Sequence, residues 1–364
     1  MKLPRVVVEI LDPFKCLWTL FTVDSPKPVH NPTNPFRFLD LPSLARDVIF
    51  SHMEIEDIYH LSKCSRRSRY AVKMFTRRQK YDFEISVYES YCSLNVSNCF
   101  WWKRFHRELR LVNCRKSLYG LPFLTYTEDV WAATKEEIGY VLDVFTKKVN
   151  WLRFYDITNI RKMTEFLKEK TVLHSVIYDV SKIDDEMYKY VLREYKDAKT
   201  LNIRSYPSAD FRFDDMEPFT GDEISIKYAD WVTFDNLTRC FTNFERVRLW
   251  TISGRCLNVL VFNQFLNARR NGLRVGELDL VWDCADFDLQ SIFKDVPITE
   301  VKRVEVGNKK RVFDDGKCFL IRQEQSGMEA VVYWHAFYLS ACFTTNFRLL
   351  RDDEPAEDDW WSFQ

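Results

Sequence analysis

VNWLRF, residues 149–154, sets a phrase that returns along the chain: apolar, two free positions, apolar, one free position, apolar. It recurs as LHSVIY (173–178), AKTLNI (198–203), FERVRL (244–249), VGELDL (275–280) and VKRVEV (301–306), with a weaker copy, GDEISI, at 221–226. Successive starts lie 24, 25, 23, 23, 31 and 26 residues apart. Between several copies lie stretches with helical periodicity: RKMTEFLKEK (161–170), DDEMYKYVLREYKD (184–197), LNVLVFNQFLNARR (257–270) and FDLQSIFKD (287–295). A strand and a helix alternating at this period make a unit that buries its apolar face only against its neighbours.

The expected fold class is therefore α/β, with residues 149–310 forming an irregular leucine-rich-repeat-like α/β solenoid. A doubly wound α/β sheet is the alternative, because buried parallel strands with crossover helices give a similar pattern. Where a leucine-rich repeat expects an Asn or Cys after the last apolar residue, this chain has Ile157, Ser181, Tyr206, Ala229, Ile252, Asp283 and Lys309, so its turns must be held in another way. The free positions would face outward, and the middle copies then present Arg204, Lys227, Arg248 and Trp250 close together, with Tyr155 further along. Cations beside an aromatic ring suit an acidic or phosphorylated protein target.

Upstream, SPKPVHNPTNP (25–35) carries four prolines in eleven residues, which blocks helix and central strand alike and marks residues 1–35 as an arm and linker. Residues 36–80 then read as three short helices. Pro42 pre-sets a first turn, with Ala45, Ile49 and Met53 on one face; a second helix spans about 54–64 with Ile55, Ile58 and Leu61 inside; Ser65 or Ser68 caps a third that buries Ala71, Val72 and Phe75. So small a unit cannot hide all its apolar groups, which implies a partner surface or docking onto the rest of the chain. The cluster Lys63, Arg66, Arg67, Arg69, Lys73, Arg77, Arg78 and Lys80 reads as a solvated face.

The run LDLPSLARDVIFSHMEIEDIYHLSKCSRRSR (39–69) resembles the F-box, and its LP pair and LSxCSxRS phrase look most like the F-box family of nematodes. The resemblance implies binding to the Skp-type adaptor of a cullin-based SCF ubiquitin ligase. It places the adaptor contacts at Leu39, Leu41, Pro42, Leu44, Val48 and Ile49, then at Met53, Ile58, Leu61, Ser62, Cys64 and Ser65. The segment 244–282 is similar to the type 2 F-box-associated domain, which implies a C-terminal region that selects the ubiquitylation target. The function so implied is a non-catalytic substrate receptor, intracellular in the cytoplasm or nucleus. The alternatives are a scaffold that binds the adaptor without assembling a ligase, and an α/β enzyme using strand-end acids such as Asp283 and Asp286.

Composition narrows the classes. Lys and Arg number 53 against 53 for Asp and Glu, so the chain has no net charge with which to neutralise a phosphate backbone. Nine glycines supply no GxGxxG, GxxxxGK[ST] or GxSxG motif. Ten cysteines without a CxxC read as reduced thiols, and six histidines form no HxxxH pair, so no metal or cofactor is expected. The apolar N-terminal run is broken by Glu9, Asp12, Pro13 and Lys15, unlike a signal peptide or a spanning helix, so the Asn95 and Asn236 glycosylation patterns are chance matches. Residues 81–148 read as a connecting region with two strands (81–97) and a helix (134–149). In 311–350 the Asp315-Gly316 pair marks a hairpin, and 351–364 is an acidic tail with two tryptophans.

Overall fold

The computed structural model describes residues 38–89, 91–98, 109–112, 124–126, 129–215, 217–251, 259–270, 276–282, 292–306, 309–313, 316–322, 327–335, 340–351 and 353–355. The proline-rich arm, Asp283, Asp286, most of the 287–295 segment and the two tail tryptophans lie outside them. The chain divides into two units, Met1–Ile49 and Phe50–Gln364.

In the first unit a short turn, Phe38–Asp40, leads into helix α1, Ser43–His52, which continues across the boundary. The Pro42 carbonyl accepts the first helical bond, from Arg46. The second unit opens with α2, Ile55–Cys64, and α3, Arg66–Thr76. Both serines that sequence offered as caps are used: the Ser65 side chain accepts from the Ser68 amide while Ser68 Oγ accepts from the Ser65 amide, a reciprocal capping box.

Strands β1, Tyr81–Val87, and β2, Tyr91–Asn98, form the expected antiparallel pair, followed by β3, Leu109–Val112, and β4, Leu124–Tyr126. Helix α4 is Val130–Val144. Then come β5, Lys148–Phe154; α5, Ile160–Lys168; β6, Val172–Tyr178; α6, Asp185–Glu194; β7, Thr200–Ile203; β8, Glu223–Ile226; β9, Arg246–Thr251; α7, Val259–Arg270; and β10, Glu277–Trp282. The C-terminal strands are β11, Ile298–Glu300; β12, Arg303–Val306; β13, Lys309–Val312; β14, Cys318–Arg322; β15, Glu329–His335; β16, Ser340–Thr344; and β17, Phe347–Leu349.

Among the described residues fourteen strands form one mixed sheet, in the order β11-β14-β15-β16-β10-β9-β8-β7-β6-β5-β1-β2-β3-β4. From β5 to β10 every neighbour is parallel and the spatial order is the chain order. Within this run the order does not reverse as it does in a doubly wound sheet; the reversal falls at β1, which is parallel to β5 on one side and antiparallel to β2 on the other. The phrase read in the sequence becomes two rows across the sheet. One is Leu152, Val176, Leu201, Ile224, Val247 and Leu278, and the other is Phe154, Tyr178, Ile203, Ile226, Leu249 and Leu280. All twelve are buried, together with Met163 and Leu167 of α5 and Tyr188, Val191 and Leu192 of α6.

Three expectations are corrected. The sheet does not begin at residue 149: β1 runs parallel to β5, placing Ile85 beside Leu152 and Val87 beside Phe154, so no boundary falls at 148/149. The VKRVEV copy is not a further rung; β12 lies in a separate three-stranded sheet, antiparallel to β13 and β17, because antiparallel β16 occupies the free edge of β10. Nor do the strands flanking Asp315-Gly316 pair with each other. Gly316 takes φ +75°, as a turn glycine does, but β13 joins the small sheet while β14 forms its hairpin with β15.

Side-chain hydrogen bonds 23 or 24 residues apart tie successive turns together. Ser208 donates to Asp185 and Thr220 to Asp197, each 23 residues back; Asn236 Nδ2 donates to the Phe213 carbonyl, 23 back, and Asn243 Nδ2 to that of Phe219, 24 back. Gly221, the irregular member of the phrase, is demanded by close approach: a Cβ there would collide with the Ala198 carbonyl oxygen and lie 2.8 Å from the Phe244 ring. Gly221→Ala is therefore expected to cost about 1–3 kcal/mol as an overpacked site. A urea midpoint equal to that of the unsubstituted chain would contradict this packing.

Candidate adaptor-binding helices and outer sheet face

The twelve residues expected to meet an adaptor divide by position. In the first unit Leu44 and Val48 lie four residues apart on α1, hence on one face, and are 76% and 53% exposed. Pro42 is exposed, while Leu39, Leu41 and Ile49 are half-buried. In the second unit Cys64 and Ser65 are exposed, Met53 and Leu61 are half-buried, and Ile58 and Ser62 are buried. Ile58 and Ser62 thus serve the fold rather than a surface, since a buried side chain offers a partner no area. Ser65 is engaged as the cap of α3.

What Ser62 holds was missed by the sequence reading. Its hydroxyl donates to the Tyr59 carbonyl at 2.6 Å and lies 2.6 Å from the Tyr140 hydroxyl of α4. Tyr59 donates to Glu137 at 2.5 Å, and Lys63 pairs with the same carboxylate. Asp143 receives Arg69 at 2.8 Å and also Lys73, while the Arg69 guanidinium sits 4.6 Å above the Tyr140 ring. Thr76 donates to the Val144 carbonyl, and Phe75 packs on Phe50 with ring centroids 5.0 Å apart. Lys63, Arg69 and Lys73 are therefore one half of a junction, not a solvated face. The readable signal was Glu137, Tyr140 and Asp143, spaced three apart on one side of α4.

The outer face of the large sheet carries the residues proposed to meet a target. Arg204, Lys227 and Trp250 come together as one row at the strand ends: the Lys227 amide donates to the Ile203 carbonyl, and Leu249 is in register with Ile226. Tyr155 lies in the same row beyond Asp179 and stacks on Tyr88, ring centroids 4.6 Å apart. Arg248 lies one row back, clamped between Glu223 at 3.3 Å and Asp279 at 3.4 Å. Burial pushes the Asp279 carboxyl up from its ordinary range, and Arg248 pulls it back. Arg246 sits likewise between Glu277 and Glu223, and Arg153 against Glu84. Most cations of this face thus have internal carboxylate partners, which sequence did not reveal because the partners lie on other strands.

Among the described residues no group of His, Cys, Asp and Glu could hold a metal ion, and no helix is long and apolar enough to cross a membrane. Five described cysteines are free thiols, of which Cys92, Cys240, Cys318 and Cys342 are buried.

The F-box domain family model matches residues 38–80. No curated protein and no solved structure matches the chain. Residues 38–80 are thus an F-box domain, and F-box domains bind Skp-type adaptors in SCF ubiquitin ligases. Proteins that carry one are in general non-catalytic receptors for substrates.

Hydrogen bonding to Lys73, with help from Arg69, holds the Asp143 carboxyl below its ordinary range. A carboxyl so depressed adds stability at neutral pH that is lost as the pH falls below about 4. Asp143→Asn is expected to lower stability at pH 7 by about 0.5–1 kcal/mol, the pair being partly solvent-screened, and to flatten the acid limb of the stability curve. Urea titrations at neutral and acid pH would detect both, and an unchanged acid limb would contradict the role given to Asp143.

Proposed function

We propose that this chain is the substrate-recognition subunit of an SCF-type cullin ubiquitin ligase. The F-box takes the Skp-type adaptor and, through it, the cullin, while the outer face of the sheet holds a target protein. The observation that carries the reading is an F-box domain whose α2 and α3 are locked by α4 into the same unit as an ordered row of parallel strands. The function is then geometric: a target held on that face is kept at high effective concentration near the ubiquitin-charged enzyme, and ubiquitin transfer belongs to other subunits. No cofactor enters, and an intracellular site, cytoplasmic or nuclear, follows from the partners.

The in-order parallel run with turns tied one repeat apart supports the leucine-rich-repeat-like solenoid reading for β5–β10. The nematode-type assignment and the type 2 associated region rest on the phrases at 39–69 and 244–282. The proposed target contacts are Tyr155, Arg204, Lys227, Arg248 and Trp250, and the proposed adaptor contacts centre on Leu44 and Val48.

Leu44→Asp with Val48→Asp is expected to abolish co-purification with a Skp-type adaptor. Two apolar side chains that would be buried in the complex are worth about 3–6 kcal/mol, more than a hundredfold in affinity. Both residues are exposed, so the thermal melt of the double variant should match the parent. Leu41→Ala with Pro42→Ala should weaken capture in the same direction. An intact chain that captures no adaptor would sink the proposal. Adaptor without cullin would favour a scaffold that binds the adaptor and assembles no ligase.

A further inference from the structure

Arg204 and Lys227 stand side by side on the outer rim, on strands whose Ile203 and Ile226 are in register. Adjacent strands are about 4.8 Å apart, so two cationic residues occupy neighbouring positions, a pairing that is unfavourable unless an anion compensates it. The chain supplies that anion only in part. Asp179 touches Arg204 from the far side at 3.5 Å, with both groups exposed, a contact easily exchanged. Lys227 lies 5.4 Å over the Tyr228 ring and has no carboxylate partner among the described residues. Arg246 and Arg248 on the same face are each satisfied by two acids. Among the described residues the rim therefore holds two cations against one carboxylate, whereas Arg246 and Arg248 share three, Glu223, Glu277 and Asp279.

Aromatic surface borders this charge. Trp250, the next residue in the row, is 43% exposed, and Tyr206, just past β7, is 45% exposed. Tyr206 is held by its stack on Tyr228, and the Trp250 backbone is tied to the neighbouring segment by its carbonyl, which accepts from the Ala229 amide. Accessible aromatic rings beside an undercompensated cation have the composition of a binding hot spot.

We propose that this rim binds an extended acidic segment of the target, a side-chain carboxylate seating between Arg204 and Lys227 and an apolar side chain on Trp250 and Tyr206. The inference deepens the receptor reading and rests on it. One carboxylate matches the single uncompensated charge; a phosphate, with about −1.5 to −2, would meet repulsion from Asp179. The carboxylate seat and the Trp250 ring are about 7 Å apart, one and a half strand spacings, so acid and apolar residue stand about two positions apart on an extended chain.

The test is selection of a random peptide library displayed on phage against the full chain bound to its adaptor. The expected result is enrichment of Asp or Glu about two positions from Trp, Phe or Leu. Synthetic copies of the selected peptides should bind about tenfold more weakly to Lys227→Glu and to Trp250→Ala. Lys162→Glu, an equal charge change on the exposed side of α5, should leave binding unchanged, and all three variants should keep their adaptor. No acid enrichment, undiminished binding to Lys227→Glu, or tighter binding of phosphoserine than of glutamate peptides would overturn the assignment. Failure of the intact chain to hold adaptor would instead overturn the receptor reading, so the two failures are distinguishable.

Discussion

Register between parallel strands is the constraint on which the rest of this structure depends. Leu152, Val176, Leu201, Ile224, Val247 and Leu278 stand opposite one another, and Phe154, Tyr178, Ile203, Ile226, Leu249 and Leu280 form the second line two residues on. Because strand side chains alternate between faces, a slip of one residue at any rung would send a buried pair into water and a charged pair into the core. The same alternation makes the outer face. Arg204 reaches solvent because Ile203 is buried, and Lys227 stands beside it because Ile226 is in register with Ile203.

The central rungs were legible because each phrase repeats a local pattern at nearly constant spacing, and the helices between them carry their own period. The first rung was not, because β1 has Asp82 where the phrase calls for an apolar residue; Asn150 donates to that carboxylate at 2.7 Å and accepts from the Phe83 amide. The final copy misled for the converse reason. VKRVEV alternates as any half-buried strand does, and nothing local reveals that antiparallel β16 already occupies the edge of β10. Gly316 likewise takes the turn conformation, but nothing local says which sheets β13 and β14 enter.

Electrostatics was the least legible layer. Zero net charge was plain, but its distribution depends on pairs far apart in sequence: Glu84 with Arg153, Glu223 with Arg248, Glu277 with Arg246. Read along the chain, Arg248 and Arg204 look equivalent. In the fold Arg248 has two carboxylates and Arg204 shares one with solvent, so the charge of the middle row is met internally and that of the rim only in part. Tyr206 stood out in the sequence only as a residue in the place of an expected asparagine: it follows its strand by three residues and reaches the rim through its stack on Tyr228.

The F-box raises the question of what so short a set of helices rests on. Helices of ten or eleven residues gain little stability from their own backbone bonds and need tertiary support. For α2 and α3 that support is α4, which supplies Glu137, Tyr140 and Asp143 on the near side and whose chain continues directly into β5. One helix thus completes the F-box helices and leads into the parallel sheet. A part-buried hydroxyl pair and two shared carboxylates add directional contacts to the apolar packing, because each has a preferred geometry. Within the second unit, α2 and α3 are therefore tied through α4 to the strand that follows it, so the F-box helices of that unit and the parallel strands share one support.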